Sequence, residues 1–353
     1  MMNKRICWCG AHEFLPFSAE YERCANCGTL VSLVGLSNEE LQVSNDETDF
    51  YGRQYWLEHQ SKDLGFPNIF QRSRSDLTDR NLHWLRTLLK YRLPPAKVLE
   101  LGCSHGSFVG LLHQSGYEAA GLEMSPWVVE FAHKTFGVPI SVGPVENLNV
   151  EPGSLDVVAL MDVLEHLPDP VGTMEHTLRL LKPDGLLLIQ TPQFRNEMNY
   201  EELVATNGAF LEQFKSNEHL YLFTKESVGR LFKQLGAEHI VFEPPMFYQY
   251  DMFFVVSRQP IVATTDEAAE TALTSTPSGR FAQAMLDLDS RIKVIDADRA
   301  ERLDQINTLS AQVATLSTEN AIIDADRADR LDQINTLTRM IHELQATMQE
   351  KNS

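Results

Sequence analysis

The segment Val98–Phe108, VLELGCSHGSF, limits this chain more than any other part of it: an apolar run breaks into a turn of small residues and then into a helix-like stretch. Gly102 and Gly106 let the backbone bend sharply and approach a ligand, which would meet the exposed N–H groups at the start of the following helix. About twenty residues later the apolar run EAAGLE closes on Glu123, followed by Met124, and a carboxylate there can accept both hydroxyls of a ribose. The pair points to a nucleoside-type ligand. The glycine pattern Gly102-x-Ser104-x-Gly106 lacks the G-x-G-x-x-G spacing that close approach of a pyrophosphate requires. Glu100, one step before the turn, is an anionic neighbour suited to a cationic amino acid group and unsuited to a diphosphate.

Around this segment, short apolar runs at 97–101, 118–123, 155–161, 185–191, 238–243 and 251–257 read as buried strands. Helix-like stretches at 106–115, 126–136, 171–181 and 224–236 lie between them. Alternation of this kind implies an α/β domain with right-handed crossovers and a mostly parallel sheet. The last two runs are separated only by the Pro-bearing turn EPPMFYQYD, which predicts an antiparallel edge.

Glu100, Gly102, Ser104, Gly106, Glu123, the GPVENL stretch 143–148, DVVALMDVLEHLPDP at 156–170 and LLKPDG at 180–185 resemble, in that order, the class I S-adenosylmethionine-dependent methyltransferases. The resemblance covers about 190 residues, 70–258. It implies a Rossmann-like seven-stranded sheet in which Glu100 and Gly102 border the methionine part and Glu123 holds the ribose. Val145 and Glu146 would border the adenine, Met161 would add backbone contact, and LKPDG would turn into the fifth strand. The sequence departs from the pattern at Ser104, where glycine is usual, and at Pro144, where an acidic residue often meets the adenine amine.

Methyl transfer is an in-line displacement helped by alignment and, for a hydroxyl acceptor, by a base. Glu165 and His166 follow the fourth strand at its carboxyl end, where open parallel sheets bind ligands, and imidazole titrates near neutrality. His219, in NEHLYLFT, follows the long insertion 192–218, which reads as a lid over the acceptor. Both histidines are candidate bases, and bracing of the site is the competing role for each. Mg²⁺ on Asp162 and Glu165 is a weaker expectation, since no second carboxylate cluster accompanies them.

Four of the five cysteines fall in the first 27 residues, as Cys7-x-Cys9 and Cys24-x-x-Cys27. Two such pairs suit a tetrahedral structural Zn²⁺, which would staple a head, 1–35, too small to hold its own core. The first pair is one residue tighter than usual, which leaves His12 as a substitute ligand. Residues 36–69 read as a connecting segment or lid, and 259–279, rich in Thr, Ala, Ser and Pro, as a linker without a packed element.

From residue 280 to 350 the chain reads as a coiled coil. IDADRAERLDQINTL at 295–309 recurs almost unchanged at 323–337, an offset of 28 residues or four heptads. With Met285, Ile292, Ile306, Val313, Ile334 and Ile341 at a, the d positions hold Phe281, Leu288, Ile295, Leu309, Leu316, Ile323, Leu337 and Leu344. Such a seam predicts a homo-oligomer, with dimer and trimer both open. Asn320 at a fixes register, and Arg299, Arg302, Arg327 and Arg330 interrupt the seam.

The formal net charge of −19 disfavours nucleic acid as substrate, because that affinity comes from basic residues that release counterions. No apolar run reaches the ~18 residues of a membrane span, and the first residues lack a secretory signal. The expectation is a cytoplasmic protein that reaches the inner membrane only through partners. Methyltransferases with a zinc head and a coiled coil are similar to enzymes of surface-polysaccharide synthesis, some of which end chain growth. That similarity implies O-methylation of a sugar hydroxyl and glycosyltransferases as partners. Methylation of a small molecule such as a quinone precursor, C-methylation of a nucleotide-linked sugar, and a non-catalytic coiled-coil scaffold are the alternatives.

Overall fold

The computed structural model describes residues 5–34, 40, 43–62 and 65–351; parts of the expected head (1–4, 35) and of the connecting segment (36–39, 41–42, 63–64) lie outside the described residues. The chain divides into two units, Met1–Asp287 and Leu288–Ser353.

In the first unit, β1 (Phe14–Pro16), β2 (Tyr21–Cys24) and β3 (Leu30–Ser32) form an antiparallel sheet. A helical stretch follows, Tyr55–His59 continued by α1 (Gln60–Lys62), and then α2 (Ile69–Asp76) and α3 (Leu82–Tyr91). The body alternates β4 (Lys97–Leu101), α4 (Ser107–Gln114), β5 (Glu118–Glu123), α5 (Pro126–Phe136), β6 (Ile140–Val142), β7 (Leu155–Met161), α6 (Pro170–Leu180) and β8 (Leu181–Pro192). After α7 (Tyr200–Thr206) come β9 (Tyr221–Leu222), α8 (Lys225–Gln234), β10 (His239–Glu243), β11 (Asp251–Ser257), α9 (Asp266–Thr274) and α10 (Pro277–Lys351).

Seven strands form one sheet in the order β10-β11-β8-β7-β4-β5-β6, parallel from β8 to β6 and antiparallel where β11 joins β8 and β10. Every residue of β7 is buried, as a strand covered on both faces demands. Helices start where the sequence supplies caps: Ser125 accepts from Val128 ahead of Pro126, and Asp169 accepts from Gly172 ahead of Pro170.

The seven-stranded sheet is the one that the resemblance implies, and its strand missing from the six apolar runs is β6, with three residues too brief to show a period. Three details differ from the sequence reading. The LKPDG turn is absorbed into β8, which pairs Leu181 with Leu155 and then skips to Leu186 opposite Val157, a bulge that loops out 182–185. The head is not a separate body, because β3 pairs with β9 and the cysteines pack in the same core as β7 and β8. The stretch 259–279 is no bare linker: Thr264 bonds the carbonyls of Leu89 and Lys90 at the end of α3, Thr265 caps α9, and Leu273 is 1% exposed.

The first turns of α10 bury Ala282 and Leu286, and Met285 packs beside them, so the body claims part of the expected seam. In the second unit, Leu288–Ser353, the seam positions Ile306, Leu309, Val313, Leu316, Ile334 and Leu337 are all more than half exposed. Arg302 and Arg330 pair with Asp298 and Asp326 one turn earlier. No helix among the described residues is long and apolar enough to cross a membrane.

Candidate functional site

A cavity of about 790 Å³ opens at the carboxyl ends of β4, β5, β7 and β8, and all the expected cofactor and catalytic residues but one line it. Glu100, Gly102, Ser104, Glu123, Met124, Val145, Glu146 and Met161 form one half and Glu165, His166 and His219 the other; Gly106 alone stands behind the wall.

The turn after β4 is built on left-handed backbone. Gly102 (φ +65°), Ser104 (φ +49°) and Gly106 (φ +76°) all take positive φ, and the last caps α4. A Cβ on Gly102 would stand 2.6 Å from Val163 Cγ2, and one on Gly106 2.8 Å from Ile140 Cδ1. Glycine is therefore demanded twice. Ser104 carries its Cβ in that region, and its buried hydroxyl has no hydrogen-bond partner.

Glu100 is 4% exposed, and its Oε2 is buried without a partner. Burial first, then the nearby Glu123, raises its carboxyl well above the usual range, the condition a cationic ligand would relieve. Glu123 accepts N–H bonds from Ser104 (3.0 Å), Met124 (2.8 Å) and Ser125 (3.2 Å). A carboxylate offers about four acceptor sites, so Glu123 both shapes the turn and keeps capacity for a ribose hydroxyl. Glu146 faces outward and accepts from Thr173 Oγ1, whereas Val145 is buried against the cavity.

In the opposite half, His166 Nδ1 lies 2.9 Å from the Glu218 carbonyl and His219 Nδ1 2.8 Å from the Gln213 carbonyl. A carbonyl only accepts, so each Nδ1 donates, and each Nε2 is left as the basic nitrogen. Burial is the main cause that lowers both pKa values below the imidazole norm, His219 well below it. Both are neutral near pH 7. Glu165, 1% exposed, accepts from Thr191 Oγ1 at 2.9 Å, and its other oxygen has no partner. Burial and the neighbouring Asp162 push its pKa to about 8.

Asp162 has both oxygens engaged, by Gln190 Nε2 and by Arg80. The expected pairing of Asp162 with Glu165 around Mg²⁺ is therefore not assembled. The donors within 4.8 Å of one another are those of Glu165, His166 and His219, a nitrogen-rich set that Mg²⁺ does not favour.

Several lining residues escaped the sequence reading. Tyr51 OH lies 3.2 Å from His166 Nδ1 and Tyr55 OH donates to Glu218 at 2.9 Å, while His59, outside the lining, holds its Nε2 3.1 Å from the same carboxylate. Asp46 accepts from Ser125 Oγ and from the Trp127 N–H, so the stretch 46–59 runs from the ribose side to the acceptor side as a strap. Asp251, at the start of β11, is 3% exposed and is raised to about 9, by burial first. The aromatic run Phe50, Tyr51, Tyr55, Trp56 was visible in the sequence, but nothing local says that it crosses a pocket.

Outside the cavity, Cys7 Sγ lies 3.5 Å from Cys27 Sγ and Cys9 Sγ 3.6 Å from Cys24 Sγ, with all four within 4.8 Å. Tetrahedral Zn–S bonds of about 2.3 Å put sulfurs roughly 3.8 Å apart, so the four residues fit the ion. The Cys27 thiol is lowered to about 5, chiefly by the bond from Cys7 and also by Thr29, and thiolate is the form that binds metal. His12 is exposed and stands outside the cluster.

Residues 72–240 match a family model described as a methyltransferase domain. The ubiquinone biosynthesis O-methyltransferase of Xanthomonas campestris pv. campestris (strain B100) is 35% identical over 105 residues, which are 28% of this chain and 44% of that relative. The chain thus spans under half the length of that relative. Among solved structures, phosphoethanolamine N-methyltransferase 2 of Haemonchus contortus, in complex with S-adenosyl-L-methionine, is 17% identical with a TM-score of 0.45 over 59% of this chain and 60% of that one. Magnesium protoporphyrin IX methyltransferase of Synechocystis PCC 6803 is likewise 17% identical, with a TM-score of 0.42 over 59% and 98%. The match falls on this sheet and this cavity, so residues 72–240 are similar to a methyltransferase domain.

Proposed function

We propose that the chain transfers a methyl group from S-adenosylmethionine to a hydroxyl oxygen of a sugar, with His219 or His166 taking the hydroxyl proton at Nε2. The observation that carries this reading is the pair of neutral imidazoles, each fixed through Nδ1 to a carbonyl, that share a cavity with the unpartnered Oε2 of Glu100 and the turn-bound Glu123. When bound, the cofactor supplies an electrophilic methyl on a sulfonium. Glu100 would hold its amino acid ammonium, Glu123 its ribose, Val145 its adenine face, and Met124 and Met161 its flanks. Glu165, Asp251, Glu218, Lys215 and Tyr51 give the acceptor half many hydrogen-bonding groups beside aromatic faces, which suits a polyhydroxylated ring. In this reading the ring belongs to a growing surface polysaccharide, Zn²⁺ sits on Cys7, Cys9, Cys24 and Cys27, and the exposed seam beyond Leu288 joins copies of the chain beside glycosyltransferases.

The O-methyltransferase relatives of ubiquinone biosynthesis favour a second acceptor, the phenolic hydroxyl of a quinone precursor. Incubation with methyl-labelled S-adenosylmethionine and two panels, reducing-end or nucleotide-linked sugars and dihydroxylated aromatics, separates the two. Label on a sugar oxygen supports the first reading; label confined to the aromatics, or to carbon or nitrogen, removes it. Absence of cofactor binding by calorimetry would leave a scaffold.

A further inference from the structure

The segment that bears His219 hangs from the cysteine-held head. Residues 216–222 receive three hydrogen bonds from it: Ser32 Oγ donates to the Ser216 carbonyl (2.5 Å), Tyr21 OH to the His219 carbonyl (2.9 Å), and the Ser32 N–H to the Leu220 carbonyl (3.0 Å). β3 then pairs with β9, Leu30 opposite Leu222 and Val31 opposite Tyr221. From the body, the Leu220 N–H donates to the Glu165 carbonyl, and His166 Nδ1 donates to the Glu218 carbonyl. His219 and the Glu165–His166 turn are thus pinned to one another by a strip whose other edge is the head.

The cysteines close the hairpin that carries these donors. Cys24 ends β2, its N–H donates to the Thr29 carbonyl, and the Gly28 N–H donates to the Cys24 carbonyl. Thr29 Oγ1 accepts from Trp8 Nε1 (3.0 Å) and lies 3.3 Å from Cys27 Sγ. Tyr21 begins β2 and Ser32 ends β3, so what fixes the turn 24–29 fixes both donors. Tyr21 itself is fully buried. The cofactor half has no such dependence: the N–H donors to Glu123 come from Ser104, Met124 and Ser125.

We propose that the head is the mount of the acceptor half of the site: Tyr21 is a positioning residue that fixes His219 through its main-chain carbonyl, and metal on the four cysteines governs transfer without governing cofactor binding. The proposal rests on the reading of His219 as an acceptor-side residue. A misplacement of about 1 Å costs up to ~10²-fold in rate, so loss of one of the three anchors is expected to act on turnover.

The test uses the full chain. Tyr21→Phe should lower kcat about tenfold on the best acceptor of the panels above, with KM and the affinity for S-adenosylhomocysteine within twofold of the parent. Chelation of metal should raise amide exchange in 217–222 at least tenfold, leave 97–106 and 118–123 protected, keep S-adenosylhomocysteine affinity within twofold, and be reversed by Zn²⁺. An unchanged kcat in Tyr21→Phe overturns the positioning role. Loss of protection at 97–123, or of S-adenosylhomocysteine affinity, together with 217–222 overturns the division between halves, as does unchanged exchange at 217–222. If the parent methylates nothing in either panel, the acceptor assignment fails, while exchange and affinity still decide the proposal.

Discussion

Replacing Ser104 by glycine should stabilise the cofactor-free protein. Ser104 sits at φ +49°, where a Cβ costs roughly 1–2 kcal/mol. Its hydroxyl is buried with no partner, and an unsatisfied polar group of that kind costs about 1–3 kcal/mol. Against these stands the greater freedom of glycine in the unfolded chain, about 0.5–1 kcal/mol. The balance favours Ser104→Gly by about 1–4 kcal/mol, and even its lower end is a rise in Tm of about 2–4 °C for a unit of this size. Gly102→Ala, two positions away, has the opposite sign: the same left-handed strain is joined by a Cβ 2.6 Å from Val163 Cγ2, and overpacking adds about 1–3 kcal/mol. Calorimetric melts of both variants without cofactor read the result. A Tm for Ser104→Gly at or below the parent's would refute the account of this turn as strained at Ser104 and relaxed at its glycines.

Glu165 and Asp251 hold protons in the folded state up to about pH 8 and 9, while their ordinary values are 4.5 and 3.8. The stability this contributes is full below about pH 4 and is lost as pH rises through 8 and 9, so the Tm of the empty enzyme should fall between pH 5 and 9, and Glu165→Gln should shrink the fall. The two histidines act in the opposite sense, because their folded pKa values are lowered: they remain neutral bases below pH 6.5, and the acid limb of kcat against pH should lie under that value; a limb at 7 or above would remove both as bases. Glu100→Gln should weaken S-adenosylmethionine binding about 10- to 100-fold in calorimetry, the worth of a charge-assisted hydrogen bond. Truncation after Asp287 should convert an oligomer to a monomer by light scattering, and a monomeric full chain would dispose of the seam as a self-association surface.

The cofactor half was legible because its parts are close in sequence. From Glu100 to Glu123 the chain makes a strand, a turn, a helix and a second strand, and each step is marked by a residue whose conformational limits are known: Gly102, Gly106, then a carboxylate at a strand end. The acceptor half could not be read this way. Tyr21 meets His219 across 198 positions, Tyr55 meets Glu218 across 163, and Tyr51 meets His166 across 115. No period or spacing encodes those meetings, so NEHLYLFT announced His219 but not the strand it enters or the head that holds it. α9 was missed for a different reason. Its Ala- and Glu-rich residues are ordinary helix formers, but only Leu273 is buried, and one apolar anchor in nine residues makes no amphipathic stripe.

That difference in reach also says where change in specificity is cheapest. The wall proposed to meet the cofactor is part of the parallel sheet itself: Glu100 and Met161 sit on paired strands, and Gly102 and Gly106 have no room for a side chain. A substitution there strains the core before it alters a contact. The acceptor wall is assembled instead from the strap 46–59, the insertion before β9 and the start of β11, whose side chains meet at hydrogen bonds rather than through the sheet. Exchange of Tyr55, His59 and Glu218 as a set would redraw that wall at the cost of two hydrogen bonds, about 1–3 kcal/mol in all, and would leave β4 to β8 untouched. Such a triple variant should therefore bind S-adenosylmethionine as the parent does and differ from it in which acceptor hydroxyl it takes; a variant that loses cofactor affinity would show the two walls to be one.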